Sequence, residues 1–111
     1  MRNPDITYTY EVEGRTVTVV RKHVGGAYPR NGNVHNPTQY YTWESYLDGK
    51  LVTAWARTRA VAYEYARAKV QGLKYRPDDR GRGRDLNVRP FTLVADEMKA
   101  NYRGRVVASP A

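Results

Sequence analysis

The adjacent residues Asp48 and Gly49 constrain the fold of this chain more than any other local feature. A two-residue turn of type I′ needs positive φ at both central positions, which Asp followed by Gly tolerates well. Apolar and polar residues alternate on both sides of this pair. Since such alternation is typical of half-buried strands, residues 39–57 are predicted to form a β-hairpin.

Counting outward from the turn gives the expected register of this hairpin. Leu47 falls opposite Lys50, and an unbroken ladder then pairs Trp43 with Ala54. One face is expected to meet the core because its alanines leave room for a helix; it carries Tyr41, Trp43, Leu47, Val52, Ala54 and Ala56. The opposite face carries Tyr40, Thr42, Glu44, Tyr46, Leu51, Thr53, Trp55 and Arg57.

Another hairpin is predicted over residues 5–23. Glu13 and Gly14 form an acceptable tight turn, and the register that follows pairs Tyr10 with Val17. The apolar residues of both strands then share one face, while threonines dominate the other. This arrangement is typical of an antiparallel sheet with one buried and one solvated face.

A helix is predicted over residues 58–72, with Thr58 as its N-cap and Gly72 just past its end. Its apolar stripe consists of Val61, Ala62, Tyr65, Ala66 and Val70, and the residues expected to face outward are Arg59, Tyr63, Glu64 and Arg67. A further helix is predicted over residues 90–103. Its apolar stripe consists of Phe91, Val94, Ala95, Met98 and Tyr102.

Together these elements predict a single α+β domain over residues 1–111. An antiparallel sheet of about four strands, made of the two hairpins, is packed by the first helix. The C-terminal amphipathic helix follows an Arg- and Gly-rich linker at 74–89, and the residues after Gly104 are compatible with a short edge strand. A Gly-, Asn- and Pro-rich stretch at 24–38 is predicted to be a long loop.

The net charge of +8 is concentrated in the second half of the chain. The segment from residue 67 to residue 89 contains eight basic and three acidic residues. Arginine forms bidentate contacts with phosphate, so this segment predicts a surface for nucleic acid; the alternative is a basic linker that stays solvated. The residues expected to contact phosphate are Arg59, Arg67, Lys74, Arg76, Arg80, Arg82 and Arg84.

The polar face of the second hairpin offers additional contacts through Tyr46, Trp55 and Arg57. Aromatic side chains on a sheet can stack on bases, and arginine can anchor the phosphate backbone. The same rings would equally suit the apolar stripe of the C-terminal helix, which needs a packing partner. From the sequence, both interpretations stay open.

No motif in the chain predicts catalysis, a metal site or a cofactor. The chain has no cysteine and two histidines, and it lacks the common nucleotide-binding, hydrolase and metalloprotease motifs. We therefore expect a non-enzymatic protein, with a nuclease that uses His and Arg groups as the alternative. No apolar run is long enough to span a membrane and the N-terminus lacks an apolar signal region, so we expect a cytoplasmic protein without a membrane partner.

The run from Tyr41 to Arg67 resembles, as a pattern of elements, the arm-type DNA-binding domain of tyrosine integrases. The resemblance covers residues 39–72 and implies a sheet that enters the major groove of DNA with a helix behind it. The groove-facing side chains would be Arg57, Tyr40, Thr42, Tyr46 and Thr53. The chain departs from that family by its extra N-terminal hairpin and by having no recombinase catalytic domain after the linker. In size and arginine excess it is also similar to small accessory proteins of actinobacterial phages.

Two further hypotheses concern protein partners. A phage effector that binds and redirects a host protein would use the long loop and the C-terminal helix, with contacts at Tyr28, Arg30, Phe91, Met98 and Tyr102. A virion or oligomeric structural subunit would use the apolar stripe of the same helix as its interface. The oligomeric state stays open.

Overall fold

A computed structural model describes residues 5–24, 40–77 and 85–107 of the chain. The strands are β1 (Ile6–Val12), β2 (Arg15–Val24), β3 (Tyr40–Leu47), β4 (Lys50–Ala56) and β5 (Tyr102–Val107), and the helices are α1 (Arg59–Val70) and α2 (Phe91–Asn101). All strands belong to one antiparallel sheet with the order β4-β3-β2-β1-β5. The predicted α+β class is confirmed.

The C-terminal segment differs from the prediction in one respect that matters for the site. The helix predicted over 90–103 ends at Asn101, because Tyr102 already has the extended backbone of a strand, with φ −65° and ψ 133°. The chain then runs back along β1 as the edge strand β5. The short edge strand expected after Gly104 therefore begins earlier, and the sheet has five strands.

The register prediction is confirmed for the first hairpin and only partly confirmed for the second. Tyr10 pairs with Val17 as expected. Leu47 does pair with Lys50, but Trp43 pairs with Ala56 rather than with Ala54. The expected pairing was wrong because the β3–β4 ladder is irregular at two places near Ser45, which shifts the register beyond them.

Both helices lie on the same face of the sheet, which we call the inner face; the opposite one is the outer face. The core between them is built from strands β1 to β4, from α1 and from two residues of α2: its buried residues are Tyr10, Val12, Val17, Val19, Leu47, Ala56, Ala62, Tyr63, Ala66, Val94 and Met98. Tyr63 and Glu64 are buried, so the prediction that they face outward was wrong. The reason is that α1 is covered by α2 as well as by the sheet.

The start and end of α1 agree with the capping residues read from the sequence. The hydroxyl oxygen of Thr58 accepts a hydrogen bond from the backbone N–H of Val61, at 3.1 Å. Past the other end, Gly72 has a φ of +68°, a left-handed conformation that glycine adopts without a Cβ clash. The cap places Arg59, the first helical residue, beside the sheet.

Candidate functional site

A groove of about 670 Å³ lies where α2 and the start of α1 meet strands β1 and β5. We call it the α2 groove. Its walls carry four aromatic rings, three cations and four small or apolar residues: Tyr8, Tyr10, Phe91, Tyr102, Arg59, Lys99, Arg105, Thr58, Ala60, Ala95 and Met98. No carboxylate is among these residues, so every charged side chain in the described walls is a cation.

Pairing of β5 with β1 builds the floor of the groove. Arg105 lies opposite Tyr8, and Tyr102 lies opposite Tyr10, so all four side chains share the inner face. The ring centroids of Tyr10 and Tyr102 are 5.7 Å apart, an edge-to-face contact of the kind that aromatic pairs favour. The C-terminal strand therefore brings one ring and one cation to the site.

Two arginines are held against the ring of Tyr8. The guanidinium carbon of Arg59 lies 4.4 Å from the ring centroid, and that of Arg105 lies 5.9 Å from it. The negative face of an aromatic ring attracts such cations. Tyr8 thus positions two positive charges from distant parts of the chain without neutralising them, and neither forms a salt bridge with another described residue.

The rings of the groove divide into a buried floor and an exposed rim. Tyr10 is buried, and this burial raises the pKa of its hydroxyl to about 12, so it stays neutral at physiological pH. Phe91 is 70% exposed and Tyr102 is 41% exposed. Exposed rings beside cations can stack on a planar aromatic ligand whose anionic part the cations hold.

A buried ion-pair network fixes α2, one wall of the groove, to α1. Glu64, only 3% exposed, accepts two hydrogen bonds from the guanidinium of Arg89, at 2.6 and 2.9 Å. Arg89 also donates to Glu97 at 2.8 Å, and the Tyr63 hydroxyl donates to the other oxygen of Glu97 at 2.5 Å. Such a fully paired charge cluster fixes the geometry of the two helices.

The electrostatics of this network agree with its geometry. Burial raises the pKa of the Glu97 carboxyl, but hydrogen bonds from Arg89 and Tyr63 outweigh it, and the net pKa lies below its usual range. The pKa of Arg89 is raised, chiefly by its hydrogen bonds with Glu64. Glu97 and Arg89 therefore keep their expected charges at neutral pH.

Several predicted nucleic-acid contacts lie away from the groove. Arg67, predicted to bind phosphate, lies 3.6 Å from the Glu97 carboxylate, with a side chain 15% exposed. Lys74 and Arg76 are exposed, but they follow the C-terminal end of α1, whereas Arg59 in the groove is its first residue. The 12 residues of α1 span about 18 Å at the usual rise per residue, and this length separates Lys74 and Arg76 from Arg59.

The outer face of the sheet, where Tyr46 and Trp55 were predicted to contact nucleic acid, is not covered by α2. Trp55 is 71% exposed, and Arg57 is exposed just after β4. The hydroxyl of Tyr46 donates a hydrogen bond to Glu44 at 2.8 Å, and this bond raises the Tyr46 pKa. Lys22 pairs with Asp5 at 2.9 Å. This face therefore mixes both signs of charge.

Of the residues predicted to contact a protein partner, three line the groove: Phe91 and Tyr102 at its rim and Met98, 7% exposed, in its core-facing wall. Five predicted contacts lie outside the described residues: Tyr28, Arg30, Arg80, Arg82 and Arg84. The long loop predicted at 24–38 falls outside them too, except for the backbone of residue 24.

Sequence reasoning missed Tyr8, Lys99 and Arg105. Lys99 follows Phe91 by eight residues and Ala95 by four, so a helical projection would have placed it beside the apolar stripe. The position of Arg105 depends on the pairing of β5 with β1, two strands that are about ninety residues apart in the chain. No local pattern reports such a pairing.

No protein-family model matches the chain, and comparison with curated proteins and with solved structures found no match either. Within the described ranges, no group of three or more His, Asp or Glu side chains is placed to hold a metal ion. Neither described helix has the length and hydropathy needed to cross a membrane. The groove is therefore the feature of the described residues whose chemistry points to a function.

Proposed function

We propose that this protein is a non-enzymatic nucleic-acid-binding protein and that the α2 groove is its binding site. The observation that carries the proposal is the composition of the groove: three cations and two exposed rings, with no carboxylate among the described walls. Phosphates attract the cations, and bases offer flat surfaces to the rings. A ligand with both groups at close spacing matches the site.

Electrostatics supports a polyanion more than a neutral ligand. Arg59, Lys99 and Arg105 form no ion pair with other described residues, so a phosphate would meet charges that are not already compensated. Binding would release counterions from the nucleic acid, which makes the affinity depend strongly on salt. The net charge of +8 adds a favourable long-range field.

The outer face supports the proposal less well, despite its aromatic side chains. Glu44 lies beside Tyr46, and Glu11 lies on the same face, where it pairs with Arg103 at 3.6 Å. A phosphate backbone on this surface would lie close to carboxylates. The duplex-binding geometry that the integrase resemblance implies uses this face, so we favour the groove instead.

The test measures binding of fluorescein-labelled DNA and RNA oligonucleotides by fluorescence anisotropy over a salt series. The groove variant replaces Arg59, Lys99 and Arg105 with Gln. The control variant replaces Lys50, Lys69 and Arg103 with Gln, three exposed cations outside the groove. Both variants remove three positive charges, so their net charges are equal and the comparison reports where the charge is lost.

We expect the groove variant to bind at least about tenfold more weakly, because charge-assisted contacts to phosphate are lost. The magnitude of the slope of log K against log salt concentration should decrease by about 2, because each lost phosphate contact with a single strand contributes about 0.7. The control variant should keep most of the wild-type affinity and most of the wild-type salt slope. Absence of binding by the wild type at low salt, or equal losses in the two variants, would refute the proposal.

The segment that contains Arg80, Arg82 and Arg84 stays part of the proposal as a source of additional phosphate contacts. Described residues at its two ends, Arg76 and Leu86, form a β-bridge with hydrogen bonds of 3.0 and 2.9 Å. Replacing the three arginines with Gln should lower the salt slope further while leaving the contribution of the groove intact. The same anisotropy titrations measure this.

A host-protein partner is the second candidate, and the exposed side chains of β4 favour it. Trp55 is 71% and Leu51 is 57% exposed, both on an edge strand. Tagged pull-downs from a bacterial lysate, one untreated and one treated with nuclease, separate the two functions. One stoichiometric protein that is recovered from the treated lysate and is lost in Trp55→Ala would support this candidate, and recovery of nucleic acid alone from the untreated lysate would reject it.

A further inference from the structure

The inner face of the sheet continues beyond the helices as a second aromatic and cationic surface. Arg21 pairs with Trp43 in one row of the sheet, and His23 pairs with Tyr41 in the row beyond it. The guanidinium carbon of Arg21 lies 4.2 Å from the centroid of the Tyr41 ring. We call Arg21, His23, Tyr41 and Trp43 the sheet-end cluster; no residue of it is acidic.

The sheet-end cluster is continuous with the α2 groove. The ring centroids of Tyr8 and Trp43 are 6.1 Å apart, and those of Tyr8 and Tyr102 are 6.5 Å apart. Tyr8 therefore links a groove ring on one side to a cluster ring on the other. Arg59 lies over Tyr8, so a cation stands at the junction as well.

We propose that the ligand is an extended single strand of nucleic acid that runs from the α2 groove across the inner face to the sheet-end cluster. This inference rests on the proposed function and specifies its ligand. Tyr41 lies two strands across and four residues along from the row of Tyr8, which is about 16 Å in the plane of the sheet. A mononucleotide in the groove could not reach it.

A single strand suits this surface better than a duplex for a physical reason. Exposed rings gain energy from stacking only when the bases are unpaired and splayed out, at about 1–3 kcal/mol for each base. Phe91, Tyr102 and Tyr41 are all more than a third exposed. In a duplex the bases already stack on one another, so their flat faces are not available to the exposed rings.

The experiment compares labelled oligothymidylates from the dinucleotide to the dodecanucleotide, together with a duplex of the longest length. The sheet-end variant is Arg21→Gln with Tyr41→Leu. The control is Lys22→Gln with Tyr46→Leu, which removes one positive charge and one tyrosine ring from the same strands but on the outer face. Circular dichroism and thermal melting establish that both variants keep the fold.

For the wild type, we expect the affinity to rise with length and to level off between about four and eight nucleotides. The duplex should bind at least about tenfold more weakly at the same salt. The sheet-end variant should bind the dodecanucleotide about tenfold more weakly and the dinucleotide within about twofold of the wild type. The control should bind all lengths like the wild type.

The inference is overturned if the duplex binds as tightly as the single strand. It is also overturned if the sheet-end variant weakens binding of the dodecanucleotide and of the dinucleotide by the same factor. In either case, loss of binding in the groove variant would still support the groove as a nucleic-acid site. If no oligonucleotide binds the wild type at low salt, the proposed function itself fails. The two failures are therefore distinguishable.

Discussion

The two faces of the sheet share five strands and differ in how their charges are arranged. On the inner face, Arg59, Lys99 and Arg105 surround aromatic rings with no carboxylate among the described groove walls. On the outer face, cations meet carboxylates at short range, as in the pair of Lys22 with Asp5. The inner face can therefore attract a polyanion, although the outer face has the more exposed tryptophan.

This difference shows that a count of basic residues along the chain does not locate a basic surface. Arg67 and Arg89 contribute to the basic excess between residues 67 and 89, yet both lie against Glu97 or Glu64. Their role is to hold α2 in place. Lys99 and Arg105, which lie outside that segment, supply open charge instead.

The largest expected effect concerns the network that holds the groove wall. Arg89→Leu leaves the Glu64 carboxylate, with a side chain 4% exposed, buried without its main partner. We expect a loss of about 3–5 kcal/mol in the free energy of unfolding, because an uncompensated buried charge is costly. Urea unfolding followed by circular dichroism measures it.

A matched control is the double variant Glu64→Leu with Arg89→Leu, which removes both buried charges. It should be less destabilised than Arg89→Leu alone, since no unpaired carboxylate remains. An equal or larger loss in the double variant would mean that packing, rather than charge pairing, fixes α2. In that case the ion pairs would not be what holds the wall of the α2 groove in place.

A smaller effect, on the affinity for oligonucleotides, is expected from changing one of two exposed rings that lie on opposite sides of the sheet. Phe91 at the groove rim is 70% exposed and Trp55 on the outer face is 71% exposed. Phe91→Ala should weaken oligonucleotide binding about fivefold, the equivalent of about 1 kcal/mol of stacking, whereas Trp55→Ala should change it less than twofold. Both variants should unfold within about 0.5 kcal/mol of the wild type.

Anisotropy titrations at one salt concentration are sufficient for this pair. If Trp55→Ala weakens binding more than Phe91→Ala, the outer face is the binding surface. That result would also restore the geometry implied by the integrase resemblance, in which the sheet itself meets the nucleic acid.

The smallest effect concerns pH and the carboxyl of Glu97. Its pKa in the folded protein lies below the ordinary value of 4.5. The stability it contributes is therefore fully present above about pH 4.5 and is lost as the pH falls through the lower folded-state pKa. Urea unfolding of the wild type and of Glu97→Gln should give free energies that converge as the pH drops through this range. A constant difference between them would contradict the assigned charge pairing.

Local patterns predicted the parts of the fold that depend on neighbours in sequence. The turns at Gly14 and Gly49 have positive φ as expected, and the first hairpin pairs as predicted because its ladder has no irregularity. The second hairpin departs from its prediction near Ser45, where a bulge shifts every later pair. An alternating pattern carries no signal for such a shift.

The candidate site was the least predictable part, for a related reason. Arg59, Phe91, Met98 and Tyr102 were singled out from the sequence, but as members of different hypothetical surfaces. They meet in one groove because α2 packs against α1 and β1 and because β5 returns to β1. That return also explains why Arg105 was missed.

The most direct test of the account compares two neighbouring cations on β5. Arg105 lies on the inner face opposite Tyr8, and Arg103 lies near Glu11, at 3.6 Å, on the outer face. The measurement is the affinity of a labelled single-stranded oligonucleotide for Arg105→Gln and Arg103→Gln over a salt series. We expect Arg105→Gln to bind about fivefold more weakly, with a salt slope lower by about 0.7, and Arg103→Gln to match the wild type within about twofold. Equal losses in both variants, or a larger loss for Arg103→Gln, would contradict the assignment of binding to the inner face.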